Sequence, residues 1–144
     1  VNYILDTCVV SELTKSRPDP NVVRWISAIP EDRLYLSVLS IGEIQKGIEK
    51  LPDSKRKAEL ILWFETDLMD RFEDRILDFG LSSSLVWGTI QARAEAAGHT
   101  LSLIDGLIAS IAIDHDMTLV SRNSADFEHS GADILNPWLA STPL

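Results

Sequence analysis

Short apolar runs alternate with stretches of helical periodicity along almost the whole chain. Residues 1–5, 34–38, 75–78, 118–121 and 132–135 read as strands. Residues 9–15, 21–28, 40–51, 53–73, 81–97 and 103–115 read as helices, several closed by Pro or Gly. Pro52 closes one and Gly98 another. Parallel strands need long crossover connections, and helices supply them. The pattern therefore predicts an α/β domain with a mostly parallel central sheet and helices on both faces. In such sheets ligands gather outside the carboxyl ends of the strands.

A chain of 144 residues suits a single domain spanning 1–144, and 45% hydrophobic residues suffice for a core. No apolar run reaches the length of a membrane span, and no segment reads as a signal peptide. The lone Cys8 excludes an internal disulfide framework, and no Cys/His cluster has zinc spacing. A reducing cytoplasm is the expected home. Lys+Arg 13 against Asp+Glu 22 gives a net charge of −9. That balance argues against a module that holds nucleic acid by phosphate neutralisation alone. It leaves room for an enzyme with a local basic rim, and it suits a basic partner protein.

Four acidic positions fall at strand ends or helix starts. Asp6 follows the first strand in "YILDTCVVSE". Glu43 follows the second in "LSIGEIQKGI". Asp105 opens the late apolar helix in "SLIDGLIASIA". Asn123 and Asp126 follow the fourth strand in "LVSRNSADF". Each has a local explanation. Ser40-x-x-Glu43 and Ser102-x-x-Asp105 have capping-box spacing, and Asn123 with Asp126 fits an N-cap and its third residue. The helix dipole also favours acids in a first turn. Taken together they imply more, because the architecture brings all of them to one edge of the sheet. Acids sharing a partly buried cleft repel and raise one another's pKa. A divalent cation relieves that repulsion. Oxygen ligands without His or Cys favour Mg²⁺, with Mn²⁺ also suitable. Such a site activates water and stabilises charge on a phosphate oxygen, the chemistry of phosphodiester hydrolysis.

The motifs "ILDTCVVSEL", "LSIGEIQKGI", "IDGLIASIA", "LVSRNSADFE" and the closing "NPW", in this order and spacing, resemble the PIN-domain ribonucleases. Within them the chain is similar to the VapC toxins of bacterial toxin–antitoxin pairs, in their FitB-like branch. The resemblance implies an α/β/α sandwich and a Mg²⁺- or Mn²⁺-dependent endoribonuclease that leaves a 5′-phosphate and a 3′-hydroxyl. It implies a homodimer, joined with its antitoxin into a heterotetramer or larger assembly, and an RNA substrate such as a transfer RNA or a ribosomal loop. Asp6, Glu43 and Asp105 match the family's three acids. Asp126 is taken as the fourth, with Asn123 as a polar helper. Thr7 is expected to orient Asp6 or a bound water, and Arg122 to contact phosphate. Cys8 stands where the family usually has Asn, and a thiol hydrogen-bonds a carboxylate poorly.

Lys46 and Lys50 share a helix face with Glu43 and suit either a basic rim or an ordinary solvated face. Lys15 and Arg17 read the same way. Trp63, if exposed, would fit an antitoxin groove. His99, His115 and His129 have no ligand spacing. Two rival readings remain: a phospho-acceptor receiver domain, disfavoured because no Lys follows Lys57, and a catalytically weak PIN fold that only binds a partner.

Overall fold

The structure, a computed structural model, describes residues 1–139. The end of the expected single domain, residues 140–144, lies outside them. Strand β1 is Tyr3–Leu5, β2 Leu34–Ser37, β3 Ile76–Leu77, β4 Thr118–Val120 and β5 Ile134–Leu135. They form one sheet in the order β3-β2-β1-β4-β5. All four pairings are parallel. The predicted parallel α/β/α architecture is borne out. A receiver domain would run 2-1-3-4-5 instead, so the observed order removes that rival.

Helices α1 (Thr7–Leu13), α2 (Pro20–Ala28), α3 (Val38–Glu49), α4 (Lys55–Leu62) and α5 (Met69–Arg71) precede β3 or bracket β2. Helices α6 (Leu81–Ala96) and α7 (Leu103–Asp114) lie between β3 and β4. Successive strand residues face opposite sides of a sheet. In β1, Leu5 enters a core with Val9, Val22, Ile44 and Phe72, while Ile4 enters the other with Ile90, Ile108 and Ile111. In β4, Val120 and Leu119 divide the same way. Burial on both faces explains why these strands read as unbroken apolar runs rather than as alternating ones.

Two local expectations are corrected. Helix α3 begins two residues earlier than predicted, because Ser37, the last residue of β2, is itself the N-cap and accepts from Ser40 N–H. The chain thus passes from strand to helix with no loop. The Ser40-x-x-Glu43 capping box does not form, and Ser40 is fully buried. The long helix predicted over 53–73 starts at Lys55, capped by Ser54. It then loosens into a π-helical stretch, Trp63–Leu68, before the last turn of α5. Helix α6 ends as predicted at Gly98, whose φ of 77° is the left-handed backbone that glycine adopts without strain.

The strand order places a switch point at β1, whose successor β2 lies on one side and whose other neighbour is β4. A crevice at the carboxyl ends of β1 and β4 follows from that reversal.

Candidate active site

Register builds the centre of this crevice. Leu5 pairs with Val120, and Asp6 N–H then donates to Val120 carbonyl at 2.9 Å. The next residues of the two strands, Asp6 and Ser121, are therefore side by side, and Ser121 Oγ donates to Asp6 Oδ2 at 2.7 Å. Asp6 is also the N-cap of α1, its Oδ1 accepting from Thr7 N–H at 2.8 Å. The capping role expected for a lone acid is real, yet it uses only one oxygen of a carboxylate that is 6% exposed.

Burial pushes the Asp6 pKa up. The Ser121 and Thr7 hydrogen bonds oppose this, and the charges of Glu43 and Asp105 raise it further. The three acids thus share one electrostatic neighbourhood although they come from β1, α3 and α7. Glu43 lies in the second turn of α3, beyond any cap, and accepts from Thr7 Oγ1 at 2.6 Å. Asp105 sits in the first turn of α7, where Ser102 Oγ donates to its Oδ2 at 2.7 Å and accepts its N–H at 3.4 Å. The capping explanation therefore holds for Asp105 and fails for Glu43.

Asp126 is exposed in the 3₁₀ turn Ser124–Phe127 that follows β4. Asn123 precedes that turn without a side-chain cap bond, and its N–H donates to Ser121 Oγ. The residue after β4 that touches Asp6 is Ser121, to which the motif reading assigned no role. Its signal was positional, since Ser121 follows an apolar run as Asp6 does. Cys8 Sγ lies 3.7 Å from Asp6 Oδ2 and 3.6 Å from Ser121 Oγ, long contacts for a weak donor. Burial pushes its thiol pKa up as well. Arg122 is exposed, its guanidinium 4.9 Å from the Trp138 ring centroid, and Asn136 Nδ2 donates to its carbonyl.

Lys46 and Lys50 line a concavity of about 420 Å³ with Glu43 and Ile104. Thr7, Ser11, Thr14 and Glu43 line a neighbouring one with Trp63. Trp63 is half-buried rather than free, packing against the core while it forms that wall.

The donor set suits a hard cation. It offers carboxylate and hydroxyl oxygens, and it leaves Asp6 in an environment that penalises its charge, which a cation would relieve. Among the described residues no three His, Cys, Asp or Glu side chains lie close enough to hold an ion directly. Charge interaction reaches further than ligation, so this agrees with the coupling at Asp6. Mg²⁺ commonly binds through one or two carboxylates and keeps several waters. The residues fit that kind of site.

The sequence profile of the PIN domain matches residues 3–131. This chain belongs to the PIN-domain family. The PIN domain here is 35% identical to the VapC ribonuclease Y4jK of Sinorhizobium fredii, over 94% of this chain and 96% of that protein. It is 30% identical to the toxin FitB of Neisseria gonorrhoeae, over 94% and 97%. The solved structure of FitAB bound to an IR36 DNA fragment superposes on it with a TM-score of 0.92 at 29% identity, covering 97% of this chain and 98% of that one. The resemblance drawn from the motifs is borne out.

Proposed function

We propose that this PIN domain is a metal-dependent endoribonuclease and the toxin of a toxin–antitoxin pair. The observation that carries the reading is the buried Asp6 at the switch point, fixed by Thr7 and Ser121 and held up in pKa partly by Glu43 and Asp105. Asp6, Glu43 and Asp105 are the proposed catalytic acids and hold Mg²⁺, with Mn²⁺ as a substitute, one or two of them directly and the rest through the waters the ion keeps, and Asp126 is an outer fourth acid. When bound, such a cation lowers the pKa of water and stabilises charge on the phosphate. Thr7 holds Glu43 in one orientation. Ser121 favours the ionised form of Asp6 by donating to its carboxylate, against the opposing effect of burial. Asn123 shapes the turn that carries Asp126, and Arg122 offers a guanidinium fork to the phosphate. No side chain at the centre is placed as a covalent nucleophile, so water is the attacking group.

The names of the relatives support a ribonuclease and a toxin, and the solved FitAB complex supports an antitoxin partner. A net charge of −9 suits a basic antitoxin segment. A homodimer, or a heterotetramer or larger assembly with the antitoxin, is the proposed state, and a transfer RNA or ribosomal loop the proposed target. The test is cleavage of a mixed RNA pool by antitoxin-free protein with Mg²⁺ or Mn²⁺, with sequencing of the new ends. Asp6→Asn and Asp105→Asn should abolish cleavage; cuts that persist in both variants would remove the site. The long Cys8 contacts favour one other reading, a catalytically weak fold that only binds its partner. Wild type that binds antitoxin yet leaves all RNA intact would establish it.

A further inference from the structure

With 13 Lys and Arg against 22 Asp and Glu, a place where cations gather without acids between them is unusual in this chain. One opens where the end of α1 meets the start of α4. Lys15, Ser16, Arg17 and Arg56 line a concavity of about 530 Å³, and no carboxylate lines it. In the sequence Lys15 and Arg17 suit either a basic rim or a solvated face, while Arg56 arrives only through the fold. The Ser54 cap sets the first turn of α4, and Arg56 Nη2 then donates to the Thr14 carbonyl at 3.1 Å. That bond fixes the guanidinium and leaves its other N–H groups free to donate.

Glu12, the acid paired with Lys15, is already engaged. Glu12 is buried, accepts from Lys15 Nζ at 2.9 Å through one oxygen and from Asp19 N–H at 3.0 Å through the other. Among the described residues Arg17 makes no ion pair. Lys15, Arg17 and Arg56 are all exposed. Thr14, which anchors Arg56, also walls the groove that contains Thr7, Ser11 and Glu43. The basic concavity and the candidate active site are thus the two ends of one path along α1, a helix of roughly 10 Å.

We propose that the Lys15–Arg17–Arg56 concavity is a phosphate subsite for the RNA strand, holding a phosphodiester about one helix length from the bond that is cut. The proposal rests on the nuclease reading of the acids. Guanidinium forks match phosphate oxygens in pairs, and the Ser16 hydroxyl adds a neutral donor. An acidic chain that must engage a polyanion needs such a local field, because its overall charge repels the substrate. The subsite also explains how long RNA is engaged while the acids themselves present only negative charge.

The test uses the full chain and a labelled single-stranded RNA, first without divalent ions, by fluorescence anisotropy across a salt series. Arg17→Gln and Arg56→Gln should each weaken binding about three- to tenfold and flatten the log–log salt slope by about 0.7 per cation removed. Arg17→Lys should retain most of the affinity. With Mg²⁺ or Mn²⁺ added, both Gln variants should raise KM for long RNA and leave kcat, and dinucleotide hydrolysis, unchanged. Unaltered affinity and salt slope would overturn the proposal, as would equal losses on long RNA and dinucleotide. Poly-glutamate that competes with RNA at equal charge would also overturn it, reassigning the concavity to an acidic protein segment. The metal-free arm reads the subsite alone. RNA held through Arg17 and Arg56 but never cut would retire the nuclease reading and keep the RNA contact.

Discussion

Thr7 Oγ1 donates a 2.6 Å hydrogen bond to Glu43 Oε1, joining the first turn of α1 to the second turn of α3 at the carboxyl edge of the sheet. Glutamate has three rotatable bonds, and its freedom must be spent before its carboxylate serves any fixed purpose. The Thr7 hydroxyl does this from the residue next to Asp6. Thr7→Val keeps the shape and removes the donor. It should lower kcat for RNA cleavage about tenfold, as loss of a group that orients a metal-ligating side chain does, with KM little changed. Thr7→Ser should stay near wild type. Initial rates on one RNA substrate measure the difference, and equal rates in Thr7→Val would deny Glu43 an oriented role.

Asp6 is expected to cost stability. Its folded pKa is raised, chiefly by burial, so the ionised form is disfavoured in the folded state above that value. The cost is present at neutral pH, eases as pH falls through the folded value, and is gone below the unfolded value near 3.9. Asp6→Asn should therefore raise Tm at neutral pH by about 2–4 °C, the change that ~1 kcal/mol makes in a chain of this size. The gain should vanish in acid. Adding Mg²⁺ or Mn²⁺ should raise the Tm of wild type and not of the variant, since an ion that binds only the folded state stabilises it by mass action. Thermal scans across pH, with and without metal, check both statements.

The fold was legible because its strands are buried on both faces and its helices punctuate them. Runs such as Tyr3–Leu5 and Thr118–Val120 needed no register to be recognised. What escaped the sequence were features decided by tertiary contact. Ser37 does double duty as strand end and helix cap, so the motif Ser40-x-x-Glu43 suggested a cap one turn too late. The π-helical stretch Trp63–Leu68 has no local composition signature, and its buried Leu68 is placed by the core it meets. At the site, the acids announced themselves by charge at strand ends and helix starts. Ser121 did not, because a serine after a strand is ordinary until the β1–β4 register sets it against Asp6. Arg56 likewise acquires meaning only beside Lys15 and Arg17.

Glu12 should make an acid-labile contribution to stability. Its pKa is lowered by the Lys15 hydrogen bond first and by the Asp19 backbone N–H second. A depressed carboxyl pKa contributes stability that is present above the unfolded value near 4.3 and is lost as pH falls through the folded value. Lys15 is largely solvated, so the pair itself is worth little, and the bond to Asp19 adds its share. Glu12→Gln should lose about 1 kcal/mol at neutral pH and lower Tm by about 2–4 °C. The gap from wild type should close as pH drops below 4.3 or so. A constant gap over that range would mean that packing rather than charge sets the effect.

Asp105 and Asp126 should separate in a direct comparison. Both occupy first turns at the same edge, yet only Asp105 belongs with Glu43 among the charges that raise the Asp6 pKa. Asp105 is half-buried and tied to Ser102, whereas Asp126 is exposed. A carboxylate close to the buried acid contributes to holding a divalent ion directly, while an outer one acts through water or through the field. Asp105→Asn should therefore abolish cleavage and erase the metal-dependent rise in Tm. Asp126→Asn should reduce kcat about tenfold, in the range found for outer-shell partners, and leave most of the metal-dependent rise in place. Paired rate and thermal-shift titrations with Mg²⁺ and Mn²⁺ decide the matter. If Asp126→Asn removed the thermal response as fully as Asp105→Asn, Asp126 would be a full ligand, and the turn Ser124–Phe127 would have to swing inward when the ion binds.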